Sequence, residues 1–233
     1  MIRRLANDKL TMMNPFEEGQ MILINKPLHW TSADVVKKIR NRVHAKVGHA
    51  GTLDPLATGL LILCTGKFTK KINEYMAREK EYTGTFTLGA TTASYDLETT
   101  PENQKNYSNI SAVDLDSLSK KFTGEIIQVP PVYSAIKKNG ERSYDLARQG
   151  RAVALDGRKV TIRVFEMEIQ QLPLVSFRVV CSTGTYIRSL ANDLGEYLGC
   201  GAYLSSLCRT RIGEYLLKDA IDPESSEMIK TGN

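Results

Sequence analysis

Asp54 is the residue whose setting first calls for a chemical explanation. It lies in HAGTLDPLATGLLILCTGK, His49 to Lys67, where one carboxylate stands beside a proline among leucines, with glycines on both sides. A capped turn is one description: aspartate at the N-cap, proline in the first helical position, glycine at the end. A surface turn, however, has no need of Leu53, Leu56, Leu60 and Leu61 around its acid, and burying an ionised carboxylate is costly without a partner. Such a carboxylate is expected to be paired with a cation, used as a nucleophile, or both. The stretch CSTGTYIRSL offers a cation, Arg188, in the first turns of a helix where the dipole gives a positive charge nothing. It neighbours Ile187 and lies two positions from Tyr186, close to an apolar face. Spacing alone leaves open whether it meets Asp54.

A second chemistry-bearing segment is basic. Residues 131–159, PVYSAIKKNGERSYDLARQGRAVALDGRK, hold seven Lys or Arg against three acids, an excess of four in a chain whose net charge is +5. Lys137, Lys138 and Arg142 are interleaved with Tyr133 and Tyr144, and Gly140 and Gly150 provide hinges. Cations with aromatics suit a segment that grips a nucleic acid backbone and stacks on bases, and equally a solvated basic loop.

Other chemistries are excluded. TGKFT fails as a phosphate loop, because six residues separate Gly59 from Gly66 and Phe68 occupies the magnesium-binding hydroxyl position. His29, His44 and His49 lack metal-ligand spacing, so no metal is expected. Cys64, Cys181, Cys200 and Cys208 form no CxxC pair and read as reduced, packed thiols of a cytosolic protein. The N-terminal stretch lacks a signal-peptide core, and no segment approaches eighteen uncharged apolar residues, so a cytoplasmic, non-membrane chain is expected. Met12 and Met13 stand as alternative initiators, and residues 1–19 read as a disordered extension.

The elements that must position these residues follow from periodicity. QMILINKP reads as a buried strand. Thr31 and Asp34 have capping-box spacing, and Val35, Val36, Ile39 and Val43 recur with helical period, so a helix starts near Ser32. The Asp54 segment is a loop that becomes the strand LLILC, followed by a helix around Phe68, Ile72, Tyr75 and Met76. EYTGTFTLGA alternates as a half-buried strand with Tyr82 on its apolar face. Residues 90–110 read as a loop before a helix opened by Ser111 and Asp114. VTIRVFEMEI and LVSFRVVCST are strands joined by a turn near Pro173. The next helix carries Ile187, Leu190, Ala191, Leu194, Tyr197 and Leu198 on one face and stops at Gly199; a last strand lies near YLSSLCRTRIG. Together they predict an α+β domain with a mixed, largely antiparallel sheet flanked by helices and loops.

These segments, in this order, resemble the TruB family of tRNA pseudouridine synthases. NKPLHWTS is similar to its KPxGxTS element and VGHAGTLDPLATGLL to its GHxGTLDPxAxGLL motif. VPPVYSAIKKNGERSYDLARQG resembles its PPxYSAxKxxGxRxYxxAR segment, and CSTGTYIRSLANDLGEYLGCGAYLSSLCRTRIG its CSxGTYIRxLxxDLG block. The resemblance implies the pseudouridine synthase fold over residues 20–215, and isomerisation of uridine 55 in the T loop of tRNA by base flipping, without cofactor. It implies Asp54 as nucleophile, Tyr82 packed on the target base and taking part in proton removal, and Arg188 paired with the catalytic carboxylate. His49 would contact RNA, Lys26, Pro27, Tyr186 and Leu207 would line the pocket, and residues 131–159 would form a thumb closing over the RNA. It also implies a monomer needing no obligate protein partner. The chain departs from the family pattern at His29, where glycine is common, and in TASYDLET, which keeps Thr92 and Asp96 but carries Ser94 and Thr99. Residues 216–233 read as a short tail in place of the C-terminal RNA-binding domain that many relatives carry.

Two other functions are weighed against this one. A glycoside hydrolase needs a second carboxylate, and no motif carries one. A non-catalytic tRNA-binding or folding chaperone would use the same basic surface but has no use for the set Asp54, Tyr82 and Arg188.

Overall fold

The computed structural model describes residues 14–134, 136–138, 141–143, 146, 149, 151 and 155–225. A central strand, β3 (Ala57–Thr65), explains why the apolar run behind Asp54 carries no charge. Its residues are buried on both faces: Leu61 and Leu63 enter one core with β1 (Met21–Lys26) and α2 (Ser32–Val43), while Leu60, Ile62 and Cys64 enter another with Tyr75 and Ile212. Of the four leucines expected around the acid, Leu60 and Leu61 are thus structural, because successive side chains of a strand point to opposite faces, while Leu53 and Leu56 stay beside Asp54.

Around β3 the sheet runs β1, β3, β10 (Ala202–Ile212), β4 (Lys80–Leu88), β9 (Leu174–Cys181), β8 (Arg158–Gln171), β5 (Gly124–Gln128). Two short strands extend it, β2 (Val47–His49) on β3 and β11 (Tyr215–Leu216) on β10. Every pairing is antiparallel except β3 with β10, so the sheet is mixed and largely antiparallel, as expected. Its largest core lies under α4 (Ala112–Phe122) and α5 (Ile187–Leu198), where Phe86 and Phe177 stack at 4.1 Å between ring centroids.

Local chemistry sets the element boundaries. Thr31 and Asp34 make both bonds of a capping box for α2, and Ser111 and Asp114 do the same for α4. Gly199 ends α5 in the left-handed region at φ 75°. Tyr197, placed by periodicity on the buried face of α5, is 58% exposed instead; it sits at the edge of the apolar stripe with the Lys121 ammonium 3.8 Å from its ring centroid. The helix expected around Phe68 divides into a tighter 3₁₀ turn at Gly66–Lys71 and α3 (Ile72–Met76). A helical turn, α1 (Pro15–Glu18), lies within the stretch read as an extension; residues 1–13 fall outside the described residues. In the basic segment, β6 (Lys137–Lys138) and β7 (Glu141–Arg142) form a separate ribbon; Tyr144, Gly140 and Gly150 lie outside the described residues. Among the described residues no helix is long and apolar enough to cross a membrane.

Candidate active site

Asp54 sits in the loop between β2 and β3, and that loop is gripped from below by the segment between β1 and α2. Ser32, buried, accepts a hydrogen bond from Leu53 N at 2.9 Å and donates to Leu53 O at 3.2 Å. The backbone N–H of His29 donates to Pro55 O at 2.8 Å, with His29 itself at φ 65°. A left-handed residue explains why glycine is common at that position in the family pattern. The ammonium of Lys26, wholly buried, donates to Pro27 O, Trp30 O and Pro55 O at 2.9, 2.6 and 3.5 Å. Burial pushes its pKa down to about 8, with nearby Asp54 opposing the shift. Lys26 and Pro27 are not among the residues that line the cavity; the Lys26 ammonium instead ties Pro27 and Trp30 to Pro55 of the loop. Gly59, at φ 103°, has no room for a side chain: a Cβ there would stand 2.4 Å from Arg209 O on β10.

Asp54 and Arg188 do meet. Arg188 Nε lies 3.0 Å from Asp54 Oδ2 and 3.6 Å from Asp96 Oδ2. The arginine is held by two backbone carbonyls, with Nη1 donating to Ser94 O at 3.1 Å and Nη2 to Tyr133 O at 2.9 Å. The pair is lopsided, for the Arg188 side chain is 5% exposed and that of Asp54 41%. The expectation of a carboxylate sealed among leucines is thus corrected: Asp54 stands at the mouth of a cleft, and its cation supplies the buried half. Asp96 is buried, and burial raises its carboxyl pKa while Arg188 pulls it down. The two residues that depart from the family pattern explain each other, since the hydroxyls of Ser94 and Thr99 lie 2.9 Å apart and each takes the other's backbone N–H. That closes the loop presenting Asp96 and the Ser94 carbonyl.

A cavity of about 290 Å³ opens beside the pair. Tyr82, Tyr186 and Leu207 line it, together with the Gly51–Asp54 loop. Tyr82 is partly buried; burial pushes its phenol pKa up, and the Arg209 guanidinium pulls it back down. His49 does not line the cavity. It stands at the end of β2, partly buried, with its pKa lowered by burial first and then by Arg209. Lys137, Lys138 and Arg142 lie on the β6–β7 ribbon, Lys137 opposite Arg142.

Several contributors have no mark in sequence reasoning. Gln128, at the end of β5, is fully buried and brackets the Tyr186 backbone, accepting from its N–H at 2.8 Å and donating to its carbonyl at 3.0 Å. The Arg158 guanidinium covers the Tyr186 ring at 4.6 Å. Ser134 lines the cavity and Tyr133 anchors Arg188 through its carbonyl, so the start of the basic segment is part of the site. Lys80 and Arg209 line the cavity as well, both buried. A lysine two positions before Tyr82 on one strand face was the available signal for Lys80.

Comparison with known proteins gives this arrangement a place. Residues 37–187 match the family described as TruB family pseudouridylate synthase (N terminal domain), and residues 188–228 match a tRNA pseudouridylate synthase B C-terminal domain. A relative from Flavobacterium johnsoniae named tRNA pseudouridine synthase B is 53% identical over 220 residues, covering 90% of this chain and 96% of the relative. One of the same name from Phocaeicola vulgatus is 48% identical over 217 residues, covering 90% and 92%. Among solved structures, a chain of a Cbf5–Nop10–Gar1 complex superposes with a TM-score of 0.71 at 28% identity, over 93% of this chain and 56% of that one. The protein has the pseudouridine synthase fold and is an enzyme of that class. Within the class, the chain belongs to the TruB family.

The two matched regions divide the chain between Ile187 and Arg188, yet they share one sheet: β10, from the second, lies between β3 and β4 of the first. The candidate nucleophile and its cation thus come from opposite sides of that division.

Proposed function

We propose that this protein isomerises uridine 55 in the T loop of tRNA to pseudouridine, with Asp54 as nucleophile and no cofactor. The observation that carries the reading is the Asp54–Arg188 pair at 3.0 Å on the edge of a cavity that Tyr82 and Leu207 line. The names of the curated relatives support tRNA as the substrate.

In this reading a flipped uridine enters the cavity, its ring against Tyr82 and Leu207. The Asp54 carboxylate then adds to C1′ as the N1–C1′ bond breaks, or adds to C6 of the ring before that bond breaks. The ring turns, C5 bonds to C1′, and the bond to Asp54 breaks with its electron pair returning to the carboxylate. One proton leaves C5 and one arrives at N1, so substrate and product are isomers and no outside reactant is consumed. Arg188, 3.0 Å away, aims the Asp54 carboxylate; Tyr82 takes part in the proton removal. His49 contacts RNA when the loop is remodelled, Lys26 and Pro27 hold that loop, and Asp96 orients Arg188. Residues 131–159 act as a thumb on the RNA, with Lys137, Lys138 and Arg142 toward phosphates, the whole working as a monomer over residues 20–215.

The test is tritium release from C5 of [5-³H]uridine in a T stem-loop RNA. Wild type should release tritium, and Asp54→Asn should release none above about a thousandth of the wild-type rate while binding the RNA within threefold, in keeping with the loss of a covalent nucleophile. Residual turnover above about one part in a hundred would remove Asp54 from that role.

A further inference from the structure

Buried charge gathers in one neighbourhood among the described residues. Among the described residues the buried charged side chains are Lys26, Lys80, Asp96, Arg188 and Arg209: four cations and one acid. Asp54, at the mouth, adds a second acid, and Arg188 pairs with both. Lys26, Lys80 and Arg209 have no ion pair among the described residues, leaving the site two positive charges in excess with all groups ionised. Uncompensated buried cations cost stability, so Lys80 and Arg209 on the wall of one cavity call for a negative charge that arrives later.

The three unpaired cations differ in what they have left to offer. The Lys26 ammonium gives its three N–H groups to three carbonyls behind the loop. The Lys80 ammonium donates to two carbonyls, Met76 O and Arg78 O, at the end of α3, and its side chain lines the cavity. Three donors on an ammonium leave it one free among the described residues. Lys80 and Tyr82 share a face of β4, and Arg209 is directly opposite Tyr82 in the β4–β10 register, within a segment flanked by two register shifts. Bulges of this kind re-aim side chains near active sites. Arg209 is fixed by Nε on Leu60 O at 2.7 Å and Nη2 on Gly51 O at 3.1 Å, the second tying it to the Asp54 loop.

We infer that Lys80, backed by Arg209, is a catalytic residue that stabilises the negative charge gained by the uracil ring midway through the isomerisation. This rests on the function proposed above. By either route the ring is neutral at the start and end and anionic between. Attack at C1′ sends the electron pair of the N1–C1′ bond into the ring, spread over N1, O2 and O4; attack at C6 sends a pair toward C5 and O4. A cation aimed at that ring interacts more strongly with the intermediate than with substrate, and so accelerates the reaction without tightening binding. A phosphate of the RNA, bulky and strongly hydrated, would be a poorer occupant, because Lys80 is 5% exposed and Arg209 1%.

Lys80 faces Tyr82 on its own strand, Arg209 on β10 and Cys181 on β9, with Glu79 and Arg78 in the preceding turn. Burial pushes its pKa down to about 8, with Arg209 adding to the fall and Cys181 opposing it. The ammonium is then present below about pH 8 and lost above it.

The experiment uses the full chain and the T stem-loop RNA, with single-turnover tritium release, filter binding and thermal melting measured together. Lys80→Met should slow single turnover by about 10²-fold, as loss of one preorganised donor does elsewhere, while the RNA Kd stays within threefold. In kcat/KM against pH, wild type should decline about tenfold per unit above pH 8, and Lys80→Arg, whose charge persists, should lose that decline. Lys80→Arg carries the test if Lys80→Met does not fold. A decline unchanged in Lys80→Arg would assign it to Lys26 and overturn the inference, as would a Lys80→Met variant that binds RNA poorly but turns over at the normal rate. Absence of tritium release from wild type would instead defeat the underlying function.

Discussion

Replacing Arg188 by Met removes a charge while keeping a side chain of similar reach, and the structure says where the cost falls. The pair with Asp54 contributes little to stability, because that carboxylate is 41% exposed and pairs of this kind are worth about 0–1 kcal/mol. Asp96 is different. It is buried, and losing its guanidinium leaves a carboxylate unpaired, which costs about 3–5 kcal/mol when a buried pair is broken. The carbonyls of Ser94 and Tyr133 lose their donors at the same time. Taking the loss as about 4 kcal/mol and about 2–4 °C per kcal/mol for a chain of this size, the melting temperature should fall by roughly 8–16 °C. Asp54→Asn should shift it by no more than about 3 °C while eliminating turnover. The pH dependence has a definite sign. Without Arg188 the raised Asp96 pKa rises further, and a carboxyl raised above its unfolded value favours the fold at low pH and disfavours it as pH rises through the folded pKa. The gap between wild type and Arg188→Met should therefore be wider at pH 8 than at pH 5, and adding Asp96→Asn should recover part of it. Melting curves by circular dichroism at the two pH values decide the matter. If Arg188→Met melts within about 3 °C of wild type, or Asp54→Asn falls as far as Arg188→Met, the buried half of the site is not Arg188 with Asp96.

Ser32→Ala removes both hydrogen bonds to Leu53 and should cost about 2 kcal/mol, lowering turnover through loss of Asp54 placement with RNA affinity unchanged; an unaltered kcat would show that the loop holds itself. His49, whose pKa is lowered by burial, resists protonation in the fold, so stability should fall as pH drops below the ordinary histidine value of about 6.5; His49→Gln should flatten that loss in acid melting curves, and an identical profile would acquit it. Neutralising Lys137, Lys138 and Arg142 together should weaken RNA binding and lessen the slope of log K against log salt by about 2–3, read by filter binding across a salt series.

The sheet was legible because its strands carry their own pattern: β3 as an unbroken apolar run, β4 by alternation, β8 and β9 by the turn at Pro173. Strand β5 was not, since GEIIQ places Ile127 64% exposed and Gln128 fully buried, an inversion of the usual preference that only tertiary pairing with β8 explains. Asp54, Tyr82 and Arg188 could be proposed from sequence, yet their meeting depends on β10 inserting between β3 and β4, a long-range pairing with no local signal. Gln128 and Arg209 act through backbone carbonyls and amides, which are identical at every residue and so leave no trace in the side-chain pattern. His29 is the converse case: its identity was uninformative until φ 65° showed what the position demands.

In the reaction proposed above, the contrast between Asp54 and Arg188 bears on how water is excluded. Arg188 is locked by Ser94, Tyr133 and Asp96 before any substrate enters, so the cation's position is set by the fold. Asp54 is placed by its loop, through bonds to Leu53 and Pro55 on either side, and by Arg188 at 3.0 Å, while its half-exposed carboxylate faces the cleft. The leucines of β3 are committed to the cores on both faces of the strand and cannot dry the site. In the proposed reaction, desolvation of Asp54 would then come from the incoming base. A ring seated against Tyr82 would displace water from the cavity and strengthen the field of Arg188 on the acid at the moment it is needed. It follows that an RNA able to bind but unable to place a base in the cavity should leave Asp54 solvated and unreactive, so that recognition of the RNA and activation of the acid are the same event.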